Sequence, residues 1–353
     1  MSDSRPTVLV TGIAGNLGSR LLPLLQDFRV IGVDFKPIPG RPDIEMHPLD
    51  LGRESSCVQM VKLLRECGAE AVVHLAFVID PLRTGVTDQQ RMWQINVAGT
   101  GRVMEAIAEV NRHGGSIRKF IYPSSVSVYG PETPPMVAED APLAAHSLTY
   151  AVHKAEADNV VRFRASALGQ CNTYLLRPHI FAGASVENYL INAIRGRAFG
   201  NSSLAQKFRR ENRRLPLLLP FGRIYPEKLF QFVHVDDVAR LISWLLKRTA
   251  PEESEMLVLN VAGSGPAISI ARCAELAQSK IVRLPTQWLC SKIIAMGWRF
   301  GFSSVPPGAY PYMCGSYTMN TDRLRRLLGN DCNQVIRYST EEALRDSVSD
   351  LSV

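Results

Sequence analysis

Short β-rich runs alternate with longer stretches of helical period through the first half of the chain. Thr7–Val10, Val30–Val33, Ile44–His47, Ala71–Leu75, Ile117–Tyr122 and Asn172–Leu176 read as strands. Between them Asn16–Phe28, Glu54–Cys67, Thr87–Asn111 and Leu148–Ala167 read as helices, and Val58, Val61, Leu63 and Leu64 mark an apolar face on the second of these. Pro23 falls inside the first helix and should kink it. Strands that are apolar throughout are covered on both faces, as in a parallel sheet. Right-handed crossovers through the helices then predict an α/β fold with a doubly wound parallel sheet, a Rossmann arrangement.

After Arg177-Pro178 the rhythm breaks. Residues 179–228 are loop-rich and basic, with Pro216, Pro220 and Pro226. A strand at Phe230–Val235, a helix at Val238–Lys247 and a strand at Leu257–Val261 then return to the main pattern, followed by helices and a Pro/Gly/Tyr loop at Pro306–Tyr317. The expected organisation is a dinucleotide-binding domain of residues 1–178 plus 229–262. A smaller, mostly helical C-terminal lobe of 179–228 plus 263–353 would hold substrate.

Composition narrows the class. A chain of 353 residues suits one large α/β unit with a companion lobe. The net charge of +7 is mild, but Arg195, Arg197, Lys207, Arg209, Arg210, Arg213 and Arg214 face one acid, Glu211. That stretch reads either as a solvated surface or as a rim that attracts an anion. Its aromatics, Phe199 and Phe208, are not interleaved for base stacking, so no nucleic-acid partner is expected. Seven scattered cysteines without a CxxC pair predict reduced thiols and neither a disulfide framework nor a metal site. The run Val8–Val10 leads directly into Thr11-Gly12 rather than into a signal peptide. Gln287–Phe302, broken by Lys292 and Arg299, reads as a lid or packing helix in preference to a membrane-surface helix. A cytoplasmic protein with no membrane partner is the expectation.

The first chemical signal is Thr11-Gly12-Ile13-Ala14-Gly15-Asn16-Leu17-Gly18, between the first strand and the first helix. Glycines there allow a tight turn and close backbone approach to a diphosphate, which the helix N-terminus favours. The spacing is GxxGxxG rather than GxGxxG. Asp34 closes the next strand about twenty residues on, where a carboxylate can take both ribose hydroxyls and repel a 2′-phosphate. NAD is therefore expected over NADP, with Lys36 close enough to blur the preference.

The second signal is Tyr150-Ala-Val-His-Lys154, which puts a phenol and an ammonium on one helical face. A free phenol titrates near pH 10 and is a poor base at neutrality. A nearby ammonium and a positively charged nicotinamide should draw that value down. Ser124-Ser125 ends the strand about 25 residues upstream.

Together with these, the chain carries Asp50-Leu51, His74-Leu75-Ala76, Asn96-Val97-Ala98-Gly99-Thr100, PSSVSVYG (123–130), LRPHIFAG (176–183) and FVHVDDVA (232–239). Over about its first 260 residues it resembles the extended short-chain dehydrogenase/reductase family, in the NAD-dependent epimerase/dehydratase branch. The resemblance implies that Ser125 hydrogen-bonds the substrate oxygen and that Tyr150 is the acid/base. Lys154 would tune Tyr150 and hold the nicotinamide ribose. Gly12, Ala14, Gly15, Asn16, Leu17, Gly18, Asp34, Asp50, Leu51, Leu75, Ala76 and Pro178 would line the cofactor, Asp50 and Leu51 at the adenine. Asn96 would be structural beside it, and His74 a satisfied core histidine. Asp236 and Asp237 would cap the following helix. Relatives often dimerise through helices that correspond to Thr87–Asn111 and Leu148–Ala167, which implies a possible homodimer.

The departures are informative. Sugar 4,6-dehydratases of this kind carry an Asp-Glu pair where Val126 and Ser127 stand, so their elimination chemistry lacks its acid and base. Nucleotide-sugar epimerases often carry an asparagine and a diphosphate-clamping arginine at the positions of His179 and Phe230. Leu215–Leu219 and Gln287–Phe302 could instead line a pocket for a less polar carbonyl. The leading expectation is hydride transfer between NAD(H) and a secondary alcohol or ketone. The alternatives are a nucleotide-sugar epimerase that retains its NAD and, in a different class, a non-catalytic dinucleotide-sensing module. GxSxG and HExxH hydrolase motifs are missing from the sequence.

Overall fold

A computed structural model describes residues 4–79, 84–249, 251, 253–303 and 305–349; the remaining positions of both expected lobes lie outside the described residues. Six strands of the first half are β1 (Thr7–Thr11), β2 (Arg29–Val33), β3 (Glu45–His47), β4 (Ala71–His74), β5 (Lys119–Pro123) and β6 (Asn172–Pro178). Short strands follow: β7 (Ile180–Ala182), β8 (Leu217–Pro220), β9 (Leu229–Phe230) and β10 (Phe232–His234). The last three are β11 (Met256–Val261), β12 (Ile268–Ser269) and β13 (Ile281–Leu284). The main sheet runs β11-β6-β5-β4-β1-β2-β3, and every pairing in it is parallel. Chain order reverses at β1, between β2 and β4, which puts the switch point at the carboxyl end of β1.

Both faces of the sheet are covered by apolar side chains. Val8, Val10, Ile121 and Leu176 pack on one side, and Leu9, Phe120, Tyr122 and Leu175 on the other. The alternation along single strands explains why they are apolar throughout. A third cluster joins the segment after β5 (Val126, Val128, Tyr129) to Phe230, Phe232, Tyr310 and Tyr317. The C-terminal helices return to the main sheet, where Leu324, Leu328, Val335 and Ile336 join its outer cluster.

Several predicted elements change at their edges. The first helix stops at Leu21 and continues as a 3-10 turn, Leu22–Leu24, because Pro23 cannot donate to the α-helical ladder. The second helix, Ser56–Cys67, buries Met60, Leu63 and Leu64, but Val58 is 73% exposed and lies off that face. The long third helix consists of Gln89–Trp93, a π turn Gln94–Ala98 and Gly99–Arg112. Part of the expected loop at 306–317 is helical, as Tyr310–Cys314. The Val235–Lys247 helix is capped by His234, whose Nδ1 accepts from Asp236 N at 3.2 Å. Asp236 and Asp237 follow within the first turn, so neither is the cap. Asp237 instead accepts from Arg337 N and Tyr338 N, each at 3.1 Å, and fastens the C-terminal segment to this helix. Short strands also pair within the second half: β7 with β10, β8 with β13, and β9 with β12.

Candidate active site and dinucleotide cradle

The chain leaves β1 into Gly12 at φ +69°, a region L side chains avoid. Gly12 N donates to Val33 O at 2.8 Å, which ties the turn to β2. A Cβ at Gly12 would stand 2.5 Å from Ala76 N, and one at Gly18 only 2.2 Å from Ile13 O. These glycines let the loop lie against the β4 exit and let the helix close on the turn. Gly15 is the extended N-cap of Asn16–Leu21 and brings no side-chain cap, so that helix's first N–H groups keep their donor capacity. Asp34, at the end of β2, accepts from Ala14 N through Oδ2 and from Lys36 N through Oδ1, each at 3.1 Å. Its carboxylate therefore stands at the rim of the cradle.

Other residues around the cradle have defined partners. Asn16 Nδ2 donates to Ser185 O at 2.9 Å and joins the cradle to the segment after β7. Leu17 packs against the outer core. The Asp50 carboxylate accepts from Gly52 N at 3.0 Å and Arg53 Nε at 3.2 Å and pairs with Arg91. Leu51 is buried, and its carbonyl accepts from Arg102 at 3.0 Å. Leu75 N donates to Thr11 O at 3.0 Å and Ala76 N to Thr11 Oγ1 at 3.2 Å. Pro178 ends β6, opposite Val261.

Beneath the cradle a one-way chain of hydrogen bonds assigns a tautomer. Thr100 Oγ1 spends its proton on a carbonyl and so accepts from His74 Nε2. That leaves Nδ1 of the neutral ring to accept from Thr11 Oγ1 at 2.7 Å, while Thr11 Oγ1 accepts from Ala76 N. His74 Nε2 donates to Thr100 Oγ1 at 3.0 Å, which donates to Asn96 O at 2.8 Å. Burial drives the His74 imidazolium down to about 3, with the Lys154 charge acting in the same direction. His74 is a neutral core residue. Asn96 spends both side-chain polar atoms on the Val78 backbone, at 2.7 and 3.0 Å.

At the next strand exit β5 delivers Ser124 and Ser125. Ser125 caps the 3-10 turn Val126–Tyr129 and accepts from Ser127 N at 3.2 Å and Ser127 Oγ at 3.0 Å. Tyr150 lies in the first turn of the Thr149–Arg164 helix, with its hydroxyl near enough to Ser125 for that side chain to act on the phenol. Burial pushes the phenol above its ordinary value, the Ser125 side chain working against that. The sequence predicts the opposite direction. The difference follows from burial, which dominates at the phenol. Lys154 Nζ donates to Pro123 O at 2.7 Å and lies 3.8 Å from the Phe77 ring centroid. Burial lowers the Lys154 ammonium to about 7, opposed by Asp158.

Phe77 joins the two halves of the site. It follows Ala76, against which Gly12 packs, and its ring meets Tyr150 edge-on at 5.8 Å while facing Lys154. The phosphate-type loop and the Ser125/Tyr150/Lys154 group thus occupy one edge of the sheet, at the carboxyl ends of β1, β4 and β5. Sequence reasoning passed over Phe77 and also over the support beneath the group. Asp158, one turn beyond Lys154, accepts from Ser124 Oγ at 2.8 Å and from Arg177 at 2.9 and 2.8 Å. Arg177 continues to Tyr129 Oη at 2.8 Å, which donates to Asn260 Oδ1 at 2.7 Å. The Tyr150, Lys154 and Asp158 spacing was the available signal.

The departures have structural consequences. His179 is buried; its Nδ1 accepts from Ile180 N at 2.8 Å, and its Nε2 donates to Tyr317 O at 3.2 Å. Phe230 is core. Neither presents a polar group to a diphosphate. Arg195, Arg209 and Arg214 of the basic stretch donate to carbonyls of Ser347, Ala198 and Ala277 respectively. Leu217 and Leu219 are core side chains of β8. A cavity of about 650 Å³ lies between the segment after Ser125 and the second half of the chain, lined by Tyr129, Glu132, His146, Tyr225, Lys228 and Gln287 among others.

A dinucleotide cradle at the switch point of a doubly wound sheet, beside a Ser/Tyr/Lys group, defines a class of nicotinamide-dependent enzyme. The chain belongs to the NAD dependent epimerase/dehydratase family, whose model it matches over residues 8–262. It is 20% identical over 166 residues to an uncharacterized epimerase/dehydratase of Staphylococcus aureus (strain MRSA252), covering 46% of this chain and 49% of that protein. The chain thus matches about half the length of such relatives. Its fold is similar to that of Thermus thermophilus UDP-glucose 4-epimerase in complex with NAD. That likeness has a TM-score of 0.66 and 18% identity, and covers 97% of this chain and 98% of that one. It is similar also to MoeE5 in complex with UDP-glucuronic acid and NAD, with a TM-score of 0.64 and 20% identity over 98% and 100% of the two chains. NAD is the cofactor of this family, and the residues here fit it: the glycine loop leaves room for a diphosphate, and Asp34 stands at its rim.

Among the described residues, no helix is long and apolar enough to cross a membrane.

Proposed function

We propose that this chain catalyses reversible hydride transfer at a secondary alcohol or ketone of a small-molecule substrate, with Ser125, Tyr150 and Lys154 as its catalytic residues. The observation that carries the reading is the meeting of Ser125 and Tyr150 beside Phe77, which leads back to the glycine cradle. NAD, when bound, supplies the hydride acceptor or donor and a positive ring beside the phenol. Ser125 orients the substrate oxygen. Tyr150, protonated by its burial, is ready to give its proton to a carbonyl oxygen and to take it back in the oxidative direction. Lys154 keeps two ammonium hydrogens beyond the one it gives Pro123 O, and these hold the ribose. Asp34 favours NAD over NADP. Residues 179–228 and 263–353 hold the substrate, the protein resides in the cytoplasm, and it pairs as a homodimer through the helices of 87–111 and 148–167.

A second reading is a nucleotide-sugar epimerase that retains its NAD. The nucleotide sugar in the MoeE5 complex favours it, and the burial of His179 and Phe230 weighs against it. Purification separates the two: NAD that co-elutes and returns unchanged after turnover marks the epimerase, exchangeable NAD marks net redox. The test of the shared chemistry is Tyr150→Phe, assayed against nucleotide sugars and apolar ketones. Turnover should fall by about 10²–10⁴-fold. Unchanged turnover would remove Tyr150 from the reaction.

A further inference from the structure

Two chain segments, 195–228 and 280–303, pack against each other in the second half of the chain. β8 and β13 pair in parallel, Gly200 N donates to Phe302 O at 3.1 Å, and the Phe208 and Phe302 rings meet edge-on at 5.2 Å. Together the segments hold thirteen Lys and Arg against two acids, Glu211 and Glu227. Since the whole chain is +7, the rest of it is net negative. The same two segments hold eight of the fifteen large hydrophobic side chains that are exposed among the described residues. Excess positive charge and bare apolar surface therefore coincide.

The Gln287–Arg299 helix concentrates both. Its inner side buries Cys290 and packs toward β8 and β13. Trp288, Lys292, Ile293, Met296, Arg299 and the adjoining Phe300 are exposed, and at 100° per residue all six fall within about 140° of arc. An ordinary solvated helix face is polar with both signs of charge. This one carries an indole, a thioether, a phenyl and two cations, and the helix contains no acid. Trp288 is 67% exposed beneath the Lys292 ammonium, which stands 5.5 Å from its ring, and Phe300 is equally exposed. The sequence favours a lid or packing role, and one face does pack. The other face has no cover.

We propose that this face docks the protein reversibly on an anionic lipid bilayer, with the Gln287–Arg299 helix lying in the headgroup plane. Charge complementarity selects that occupant. Two copies meeting face to face would bring two cationic surfaces together, which disfavours a symmetric dimer here. Apolar side chains such as Trp288, Met296 and Phe300 can enter the acyl boundary while Lys292 and Arg299 extend to lipid phosphates, the pattern of interfacial helices. The basic side chains left exposed on 203–214 add a diffuse attraction. Contact of this kind is peripheral and leaves the catalytic crevice in the folded domain.

The test is cosedimentation of the full chain with vesicles of phosphatidylcholine alone or mixed with phosphatidylserine. Binding should require the anionic lipid and fall steeply as salt rises. Reversing Lys292 and Arg299 to Glu should weaken it by at least about fivefold per residue. Trp288→Glu and Phe300→Glu should abolish it, with thermal melting and NAD affinity unchanged, since neither residue touches the cradle. Brominated lipid should quench the fluorescence lost in Trp288→Ala. The proposal is overturned if anionic vesicles bring down no more protein than neutral ones at low salt. It is overturned equally if the substitutions leave pelleting unchanged, or if sedimentation shows a dimer that Phe300→Glu disperses.

Discussion

Arg177 grips Asp158 through two nitrogens, at 2.9 and 2.8 Å, and neither side chain has any access to solvent. One comes from β6 and the other from the helix that carries Tyr150 and Lys154, so the pair fixes that helix against the sheet. Ser124 donates to the same carboxylate, which places the adjacent Ser125. A buried pair of this type adds little over an apolar replacement, but breaking it strands a charge. Asp158→Asn should cost about 3–5 kcal/mol in urea unfolding. Asp158→Leu with Arg177→Met should cost less than the sum of the two single changes, as a double-mutant cycle would show.

Lys154 rests on aromatic faces. Its Nζ is 3.8 Å from the Phe77 centroid and 4.9 Å from that of Tyr122. Cation–π contact stabilises the charged form, against the burial that lowers the ammonium to about 7. Phe77→Leu should therefore lower it further, by up to about one pH unit. If the ammonium is the active form, the high-pH limb of kcat/KM moves to lower pH, and Phe77→Trp restores it. An unmoved limb in Phe77→Leu would show that the ring only fills space.

The strands were legible because each is a short apolar run punctuated by helical spacing, and the cradle because three glycines follow the first of them. The Tyr150/Lys154 relationship was legible because a helix fixes its own periodicity. Contacts across the sheet were not. Nothing in the spacing of Asp158 and Arg177 announces a pair, since their meeting depends on how the helix crosses β5 and β6. Val58 was misplaced because counting apolar residues does not set the phase of a helix; Met60 and Leu64, facing the core, do. The second half resisted because its pairings, β7 with β10 and β8 with β13, are short and distant in sequence.

His74 and His179 make the fold acid-sensitive. Burial lowers each to about 3 from an ordinary 6.5. Below pH 6.5 the unfolded chain takes up protons that the folded chain refuses until about pH 3, so stability declines through that window as pH falls. At pH 5 the loss is about 2 kcal/mol per histidine relative to pH 7. Urea unfolding at the two values should show it. His179→Gln, which can keep an acceptor for Ile180 N and a donor to Tyr317 O, should remove about half of the difference. A variant as pH-sensitive as the parent would mean that His179 is protonated in the fold.

The cofactor preference rests on Asp34. Its Oδ2 is held by Ala14 N and its Oδ1 by Lys36 N, so the carboxylate is fixed at the cradle rim before any ligand arrives. Each oxygen keeps a second lone-pair direction for a ribose hydroxyl. A 2′-phosphate at that place would meet a fixed negative charge with few compensating donors, the Lys36 ammonium being the nearest in sequence. Asp34→Ala removes the acceptor and the repulsion together. Titration of the variant should show weaker NAD binding, by about tenfold for the loss of a charged hydrogen bond worth about 1.5 kcal/mol. NADP affinity should hold or rise, so the ratio of the two dissociation constants narrows. Asp34→Asn removes the charge and keeps one acceptor, for Ala14 N, while it sets an NH2 against Lys36 N, so its ratio reports the charge together with the loss of one acceptor. If Asp34→Ala keeps the parent ratio, the ribose is bound by another group and the carboxylate serves only to brace the turn at Ala14.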